Sequence, residues 1–403
     1  MDKILILTNS HAYEEGLSGG ERIAIEFYRR WAEKCRVSVY TSNFGKYTWE
    51  KCGIDTSHNF YFCSNIRKNK NILLSYIDLA FSYLKRIFDV LSNKSFKENI
   101  NSGGLLYSAS DFWPDSVPSF IVKKIINPRI RWIAGFYLLA PAPWEKDSPY
   151  KKERWIIGFF YWLTQQPIYW IIKKYADMVF VTSEPDVKKF ITSKRCADKV
   201  VVVKGGVDIR KSNEYLKSSN AISVKQRKFD ACFVGRFHYQ KGLIELVDIW
   251  KLVCAKKSEA MLAMIGIGPL EGEIKNKIIK LNLENNIKLL GFLDGEEKYN
   301  IFKESKIVVH PAIYDSGGMA AAEAMAWGLP GVSFDIEALK TYYPRGMLKT
   351  PCYDLNKFSE NILCLLMDEL FYNRMKEEAV ACVRGWDWDK RAEEVLNKIN
   401  GEF

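Results

Sequence analysis

The sequence lacks the cysteine spacings that build metal sites or disulfide frameworks. Nine cysteines lie along the 403 residues, and no two of them form a CxxC pair. Structural zinc sites and disulfide-rich scaffolds both depend on closely spaced or regularly paired cysteines. The pattern therefore indicates neither kind of site, and it predicts a protein of a reducing, cytoplasmic setting.

A targeting segment and a long apolar run are also missing. The N-terminal residues MDKILILTNS carry no basic stretch ahead of an apolar one, so no signal peptide is predicted. A helix needs about 20 apolar residues to span a bilayer, and the apolar run of residues 151–175 is interrupted at 164–167. Aromatic residues between basic ends are typical of a helix in a membrane interface. A helix buried between two domains fits the same pattern.

Acidic residues are scarce in the first half of the chain. Residues 1–200 contain 30 Lys and Arg against 20 Asp and Glu, whereas the whole chain contains 59 against 48. Nucleic acid, anionic lipid or an anionic acceptor would each suit this excess, and so would a solvated surface. Nucleic acid is the least favoured partner, because no binding motif is present and the carboxylates of residues 310–331 would repel phosphate backbones.

Alternating strand and helix patterns are abundant, and 403 residues exceed one comfortable core. They predict an α/β protein with two Rossmann-like domains that face one another across a cleft. The first domain is predicted at 1–207 and the second at 208–385, with a C-terminal helix (386–403) that returns to the first domain. The polar residues 208–220 are predicted to be a linker.

The stretch HPAIYDSGGMAAAEAMAWGLPG (310–331) suggests a site. It predicts a buried strand, a Gly-Gly turn, a helix of strong helix formers and a second strand. Free N–H groups at the start of such a helix favour an anion, usually a phosphate. Asp315 lies in the turn and Glu323 about one helical turn later, where a carboxylate can bind ribose hydroxyls. A glycine-rich turn with a solvated Asp and a surface Glu is the simpler alternative.

Three more segments follow predicted strands of the second domain. GRFHYQKG contains Gly235, Arg236 and Lys241, GIGPLEG contains Gly268, and LGFLDGEE contains Phe292. Arg236 and Lys241 are suited to a diphosphate, since arginine offers a forked contact and lysine a point charge. Carboxyl ends of parallel strands meet at one edge of a sheet, so these segments together predict a nucleotide-diphosphate site.

Taken in order, these elements resemble the retaining GT-B glycosyltransferases of family 4. The G-R-x4-K-G motif of that family corresponds to Gly235, Arg236, Lys241 and Gly242, and EAMAWG matches its E-A-M-A-x-G segment. In its E-x7-E motif the second acid is Glu323, while the first is the shorter Asp315. GGVD (205–208) is similar to its N-G-V-D segment. The resemblance implies retaining transfer from a nucleotide-diphosphate sugar of the UDP or GDP type, with no cofactor and no metal.

The resemblance also implies roles for individual residues. Arg236 and Lys241 would neutralise the leaving diphosphate, and Asp315 would orient hydroxyls of the donor sugar. The remaining residues expected on the donor side are Gly19, Gly20, Gly235, Gly268, Phe292, Gly317, Gly318, Met319 and Glu323. Glu323 would bind the ribose, and the acceptor would be a glycan or a lipid-linked molecule, with an anionic membrane surface as a further partner.

Two departures from the family pattern concern the donor sugar. Many members carry a histidine where this chain has Gly135 and Phe136, and Asp315 replaces the usual glutamate. His238 and His310 lie near the predicted site, and a structural role is favoured for both. These departures motivate an alternative function, a donor-binding but catalytically weak or inactive subunit that partners an active transferase.

The acceptor side is less well marked. SASDFWPDSVP (108–118) leaves a predicted strand end, so Asp111, Trp113 and Asp115 are candidates to line an acceptor pocket. A sugar stacked on Trp113 fits this segment, and a tryptophan held in the core by the adjacent proline fits it equally.

Overall fold

The computed structural model describes residues 3–9, 18–63, 72–145, 148–150 and 154–402. The chain forms two compact units, Met1–Val203 with Asp389–Phe403 and Lys204–Trp388. Each unit is built on one parallel sheet, of seven strands in the first unit and six in the second. The expected class, two Rossmann-like α/β domains, is therefore confirmed. Within the described ranges no helix is long and apolar enough to cross a bilayer.

The first unit contains a seven-stranded sheet in the order β3-β2-β1-β4-β5-β6-β7. Its strands are β1 (Lys3–Thr8), β2 (Arg36–Ser42), β3 (Phe60–Cys63), β4 (Leu105–Ser108), β5 (Arg131–Gly135), β6 (Met178–Val181) and β7 (Val200–Val202). Its helices up to the end of β7 are α1 (Gly19–Trp31), α2 (Asn43–Lys51), α3 (Ile72–Ser92), α4 (Lys94–Asn101), α5 (Trp113–Ile121), α6 (Trp155–Tyr175) and α7 (Glu184–Phe190). Most strands are continuous apolar runs, because helices cover a parallel sheet on both faces.

The second unit contains a six-stranded sheet in the order β10-β9-β8-β11-β12-β13. Its strands are β8 (Phe229–Val234), β9 (Leu262–Ile265), β10 (Ile287–Leu289), β11 (Ser305–His310), β12 (Gly331–Phe334) and β13 (Met347–Thr350). The later helices of the chain are α8 (Ile209–Lys217), α9 (Leu243–Cys254), α10 (Glu271–Lys280), α11 (Gly295–Lys303), α12 (Met319–Ala326), α13 (Glu337–Tyr342), α14 (Leu355–Met367), α15 (Glu369–Val383) and α16 (Trp388–Glu402). The edge strands β3 and β13 were not predicted from the sequence.

The predicted linker at 208–220 is wrong, because most of it forms helix α8. Asp208 caps this helix, and its side chain accepts a hydrogen bond from the backbone N–H of Arg210. Tyr215 packs on Trp327 with the ring centroids 5.5 Å apart. The segment is polar overall, and the distant aromatic contact adds tertiary packing to its one apolar face.

The C-terminal helix α16 packs against α1 of the first unit, as expected for this fold. The indole N–H of Trp31 donates to the carbonyl of Ala392 over 2.9 Å, within a buried contact. At the surface Arg30 forms an ion pair of 2.6 Å with Asp389. The buried hydrogen bond and the ion pair tie residues more than 350 positions apart in the chain.

The strand order locates the crevice of each sheet. Chain order reverses between β1 and β4 in the first sheet and between β8 and β11 in the second. Ligands of open parallel sheets bind beyond the carboxyl ends of the strands at such a reversal. The segments after β8 and β11 therefore lie where a ligand of the second sheet would bind.

Candidate functional site

The segments that follow β8, β9, β10 and β11 are joined by backbone hydrogen bonds at the carboxyl edge of the second sheet. These bonds run from Phe237 N to Ile267 O (2.8 Å), from Gly266 N to Gly291 O (2.7 Å) and from Ile313 N to Gln240 O (3.0 Å). The structure therefore brings together the strand-end segments that the sequence singled out. Their arrangement is a continuous rim on this edge rather than a set of separate loops.

Gly242 allows the segment after β8 to lie directly against the end of β11. Its φ angle of 62° lies in the left-handed region that favours glycine, and an added Cβ would lie 2.0 Å from the carbonyl oxygen of Pro311. A larger residue would push the two segments apart. The glycine of the GRFHYQKG segment thus places its neighbour, Lys241, beside the turn that holds Asp315.

Lys241 and Asp315 form an ion pair across the crevice between β8 and β11. The Lys241 Nζ lies 2.5 Å from Oδ2 of Asp315, and the Nε2 of His310 lies 3.1 Å from the same oxygen. The other carboxylate oxygen of Asp315 accepts a hydrogen bond of 2.8 Å from the backbone N–H of Ser316. Asp315 thus sits between the end of β11, the turn before α12 and the lysine of the β8 segment.

The charges of this cluster follow from its burial. Burial opposes ionisation of Asp315, but the Lys241 ammonium and the hydrogen bond from His310 outweigh it, so the pKa of Asp315 lies well below its usual value. Burial lowers the pKa of His310, although Asp315 opposes that shift. At neutral pH Asp315 is therefore a carboxylate and His310 a neutral imidazole, which donates its Nε2–H to Asp315.

The start of helix α12 is packed against the same cluster. Gly318 precedes the helix with a φ angle of 62°, and a Cβ there would lie 2.6 Å from His310 Nε2. The Tyr343 hydroxyl donates a hydrogen bond to the Gly318 carbonyl. Gly317 lies against the ring of Tyr342. Packing thus holds the backbone of Gly317, Gly318 and Met319 at the mouth of the crevice, where helix N–H groups favour an anion.

The second predicted carboxylate has a cation of its own. Oε2 of Glu323 lies 2.8 Å from Nζ of Lys298, a residue that is 5% exposed. The same ammonium lies 2.7 Å from Oδ1 of Asp294, at the start of α11. The side chain of Glu323 is 15% exposed, so it remains within reach of a ligand. The expectation of a solvated surface glutamate does not describe this residue.

The other predicted donor-side residues of the second unit lie on the same rim. The side chain of Arg236 is exposed, and Phe292 is partly exposed in the segment before α11. The backbone N–H of Gly235 donates to the Ile265 carbonyl over 3.1 Å, and Gly268 lies against the backbone of Phe237. Arg236 is therefore open to an incoming anion, whereas the two glycines bring backbone segments together.

In the first unit, Gly19 and Gly20 form the start of helix α1. The Ser18 side chain caps the helix by accepting a hydrogen bond of 3.2 Å from the backbone N–H of Glu21. A Cβ at Gly20 would lie 2.6 Å from the ring of Tyr137, so the helix start packs tightly on the segment after β5. The loop before Ser18, with His11, lies outside the described residues.

Asp111 and Trp113 follow β4 at the crevice of the first sheet and contact helix α6. The Asp111 carboxylate accepts a hydrogen bond of 2.6 Å from the Gln165 side chain, and burial raises the pKa of Asp111 to about 6. The indole N–H of Trp113 donates to the Thr164 carbonyl over 3.0 Å, and 37% of the residue is exposed. Trp113 thus keeps a face toward solvent while its polar edge is anchored.

Asp115 differs from the expectation that it lines an acceptor pocket. Asp115 is fully buried, and its carboxyl group accepts a hydrogen bond of 2.5 Å from the backbone N–H of Asn9. Ser110 Oγ lies 2.5 Å from the other oxygen. Burial raises the pKa of Asp115 to about 8, although both hydrogen bonds oppose the shift. Asp115 therefore joins the ends of β1 and β4 from inside the protein.

Two residues of the site were not assigned roles from the sequence. Lys298 was not singled out, and His310 was expected to be structural without a named partner. The spacing of Asp294 and Lys298, four residues apart on a predicted helix, was a usable signal for one ion pair. No spacing could indicate the contact of Lys298 with Glu323, because only the packing of α11 beside α12 creates it.

Comparison with known proteins gives a match in the second unit. Residues 216–381 match the family described as glycosyl transferases group 1. An uncharacterized glycosyltransferase of Methanocaldococcus jannaschii is 29% identical over 320 residues, which cover 76% of this chain and 70% of the relative. A second uncharacterized glycosyltransferase of that organism is 30% identical over 148 residues, which cover 35% of this chain and 38% of the relative.

A solved structure covers the whole chain. HepE of Anabaena, in complex with UDP and glucose, matches with a TM-score of 0.71 at 17% identity, and the match covers 100% of both chains. At this identity the likeness concerns the fold alone, and it confirms the expected GT-B fold class.

Proposed function

We propose that this chain, whose residues 216–381 match the glycosyl transferases group 1 family, transfers a sugar from a nucleotide-diphosphate sugar to a glycan or lipid-linked acceptor. The observation that carries the proposal is the Lys241–Asp315 pair, placed beside the N-terminus of α12 at the crevice between β8 and β11. This is the position at which an open parallel sheet binds a phosphate-bearing ligand.

The donor would bind along the rim of the second sheet. A lysine ammonium has three protons, so Lys241 can donate to Asp315 and still donate to phosphate oxygens. Exposed Arg236 would bind the same diphosphate, together with backbone N–H groups near Gly317, Gly318 and Met319. Glu323 would bind the ribose and Phe292 the base. The UDP complex of HepE supports a donor of the UDP type, and GDP remains the second candidate.

Transfer would retain the anomeric configuration. The bond from the anomeric carbon to the diphosphate breaks while the acceptor oxygen bonds to that carbon on the same face, and a phosphate oxygen takes the acceptor proton. Charge develops on the departing diphosphate, where Lys241, Arg236 and the start of α12 stabilise it without a metal. Neutral His310 and anionic Asp315 keep the Lys241 ammonium oriented toward this charge. Asp315 would also orient hydroxyls of the donor sugar.

The proposal is tested first by ligand screening and then by turnover. UDP-, GDP- and ADP-sugars are compared by thermal shift, and hydrolysis or transfer of the best donor is followed by NMR with and without EDTA. We expect one nucleotide class to raise Tm and the α or β configuration of the donor to persist in the product. Inversion, or activity that EDTA abolishes, would contradict the stated mechanism. Absence of binding by all three classes would contradict the function.

The alternative of an inactive donor-binding subunit is not favoured by the comparisons. Phe136, which stands where many relatives of the family have a histidine, is fully buried and packs on Phe190 with centroids 5.0 Å apart. Asp315 is engaged with Lys241 despite being the shorter acid. A donor that raises Tm but shows no hydrolysis or transfer with any offered glycan or lipid acceptor would point to this alternative.

We further propose that the protein acts at the cytoplasmic face of an anionic membrane, through helix α6. One face of α6 is buried in the first unit and includes Gln165, Ile168 and Ile172. The opposite face is also apolar and is open to solvent: it exposes Ile156, Phe160, Leu163 and Trp170 to between 43% and 63%. A helix that is apolar on all sides is expected to be covered on all sides, by protein or by lipid.

The charge around this face selects an anionic membrane as the partner. Lys173 and Lys174 lie in the last turn of α6, and the ammonium groups of Lys124 and Lys174 lie 5.6 Å and 5.4 Å from the Tyr175 ring centroid. Lys123 Nζ lies 2.9 Å from Asp177 Oδ2, so this lysine should contribute less to the attraction of an anionic membrane. Each lysine close to an anionic surface stabilises binding by about 1 kcal/mol, and buried aromatic groups add a salt-independent part.

The expected result is salt-dependent sedimentation with anionic vesicles. Wild-type protein should sediment with phosphatidylserine-containing vesicles at low salt, less at high salt, and little with neutral lipid, because salt screens the lysine charges. The triple change Ile156→Ser, Phe160→Ser and Trp170→Ser should abolish binding at both salt concentrations. As a matched control, Leu370→Ser removes an apolar side chain that is 85% exposed in the second unit and should change nothing. Wild-type protein that stays in solution at low salt would contradict the proposal.

A further inference from the structure

Lys298 is a buried lysine that joins the carboxylates of Asp294 and Glu323. We propose that it is a positioning residue: it holds Glu323 in the orientation that binds the ribose diol and thereby makes the site select ribonucleotides over 2′-deoxyribonucleotides. This inference rests on the proposed nucleotide-sugar site and adds a determinant of its specificity.

Lys298 on α11 forms ion pairs with two carboxylates, one at the start of α11 and one on α12; we call this arrangement the Lys298 clamp. The Nζ of Lys298 lies 2.7 Å from Asp294 Oδ1 and 2.8 Å from Glu323 Oε2. Asp294 occupies the N-cap position of α11, yet its side chain makes no capping hydrogen bond. Its carboxylate is instead turned to Lys298, one helical turn later. The ammonium therefore ties the start of α11 to the side chain of Glu323 on α12.

Burial makes this arrangement specific. Lys298 is 5% exposed, and a buried ammonium is costly unless it is paired and hydrogen-bonded. The carboxylates of Asp294 and Glu323 meet that need, and the cation between them offsets their mutual repulsion. Removing the positive charge would leave Asp294 and Glu323 to repel one another, and Glu323 would turn toward solvent. The rotamer of Glu323 thus depends on Lys298.

The clamp also links the ribose contact to the base-side segment. Phe292 lies two residues before Asp294, in a segment whose Leu290 N–H donates to the Met264 carbonyl over 2.9 Å. The segment 290–294 is thus hydrogen-bonded to the sheet at Leu290 and linked through Asp294 and Lys298 to Glu323. A carboxylate in a fixed orientation can accept hydrogen bonds from two adjacent hydroxyls at little entropic cost. Loss of one hydroxyl should therefore weaken nucleotide binding strongly.

Affinities for ribo- and deoxyribonucleotides test the inference. Calorimetry on the full chain compares UDP with 2′-deoxy-UDP and GDP with 2′-deoxy-GDP, in the wild type, Lys298→Met and Lys298→Arg. We expect Lys298→Met to weaken binding of the preferred ribonucleotide about tenfold and to change its deoxy analogue less than twofold. Lys298→Arg should keep the wild-type preference, because arginine retains the charge and the donors. Lys303→Met, on the same helix, is the matched control and should also keep the preference.

A merely structural role for Lys298 predicts a different pattern. Equal weakening of the ribo and deoxy ligands, or an unchanged preference, would overturn the inference. If Lys298→Met does not fold, Lys298→Gln replaces it: a reduced preference supports the inference, and the wild-type preference overturns it. A wild type that binds neither UDP nor GDP would overturn the proposed function together with this inference, whereas binding with an unaltered preference in the variants would overturn the inference alone.

Discussion

Replacing Lys241 by alanine is expected to lower the rate of sugar transfer by about 10²–10³-fold. Removing one preorganised donor from a site of developing negative charge typically costs about 2.7–4 kcal/mol of barrier lowering. The change also leaves the Asp315 carboxylate, whose side chain is 9% exposed, without its cation. Breaking a fully buried pair in this way costs about 3–5 kcal/mol. For Lys241→Ala we expect the free energy of unfolding to fall by about 2 kcal/mol, because 23% of the Lys241 side chain is exposed in the folded protein.

A control and a double variant separate the two effects. Lys306 pairs with Asp230 over 2.7 Å at the amino end of β11, with exposed side-chain fractions of 21% and 5%. Lys257 Nζ also lies 4.0 Å from Asp230 Oδ1, so Lys306→Ala should lower the free energy of unfolding by no more than Lys241→Ala does, and without a matching loss of transfer. Lys241→Met combined with Asp315→Asn should recover much of the stability but none of the activity. Wild-type kcat in Lys241→Ala, measured with saturating donor, would remove this lysine from the chemistry.

Replacing Asp115 by asparagine is expected to stabilise the protein increasingly as pH rises. The folded carboxyl has a pKa of about 8, raised by burial from an ordinary value of 3.8. Between these values the unfolded chain releases a proton that the folded chain keeps. The stability contributed by protonation is complete below about pH 4, falls by about 1.4 kcal/mol per pH unit above it, and is lost by about pH 8. Asparagine has no proton to lose, and its amide can still meet Ser110 and the Asn9 N–H.

Urea unfolding at pH 5, 6.5 and 8 measures this difference. The gain in free energy of unfolding for Asp115→Asn over the wild type should grow across the series and reach a few kcal/mol at pH 8. Glu21 and Arg86 also act on this carboxyl electrostatically, and both stay in place in the variant. Asp248→Asn removes an exposed carboxylate paired with Lys277 and serves as the control for a general charge effect. A pH-independent difference would show that Asp115 is ionised in the folded protein.

The placement of the candidate donor-site residues was largely predictable because they lie at strand ends. Arg236, Lys241 and Asp315 follow apolar runs that form β8 and β11, and parallel strands carry their carboxyl ends to one edge. The Gly-Gly step before α12 was likewise visible as a turn ahead of strong helix formers. For these residues, local pattern and general topology were sufficient.

The partners of those residues were not predictable, since each contact joins segments that are distant in the sequence. The Lys241–Asp315 pair spans 74 positions and the Lys298–Glu323 pair spans 25. Which acid meets which base depends on strand order and on how helices pack over the sheet. Asp115 was unpredictable for the same reason. Its local sequence suits an exposed helix start, but its burial and its hydrogen bond with the Asn9 N–H depend on the pairing of β1 with β4.

The sequence by itself determined the class of this protein: two parallel α/β domains, a glycine-initiated helix at the carboxyl edge of the second sheet and the identity of the cations and carboxylates around it. Those features follow from apolar periodicity, glycine placement and residue charge, which act over a few neighbouring positions. The tertiary structure alone decided that residues 209–217 form a helix, that Asp115 is buried, and that Asp315 and Glu323 each hold a lysine. Packing decides these because burial, and the pairing that buried charge requires, are properties of the assembled units rather than of any one segment.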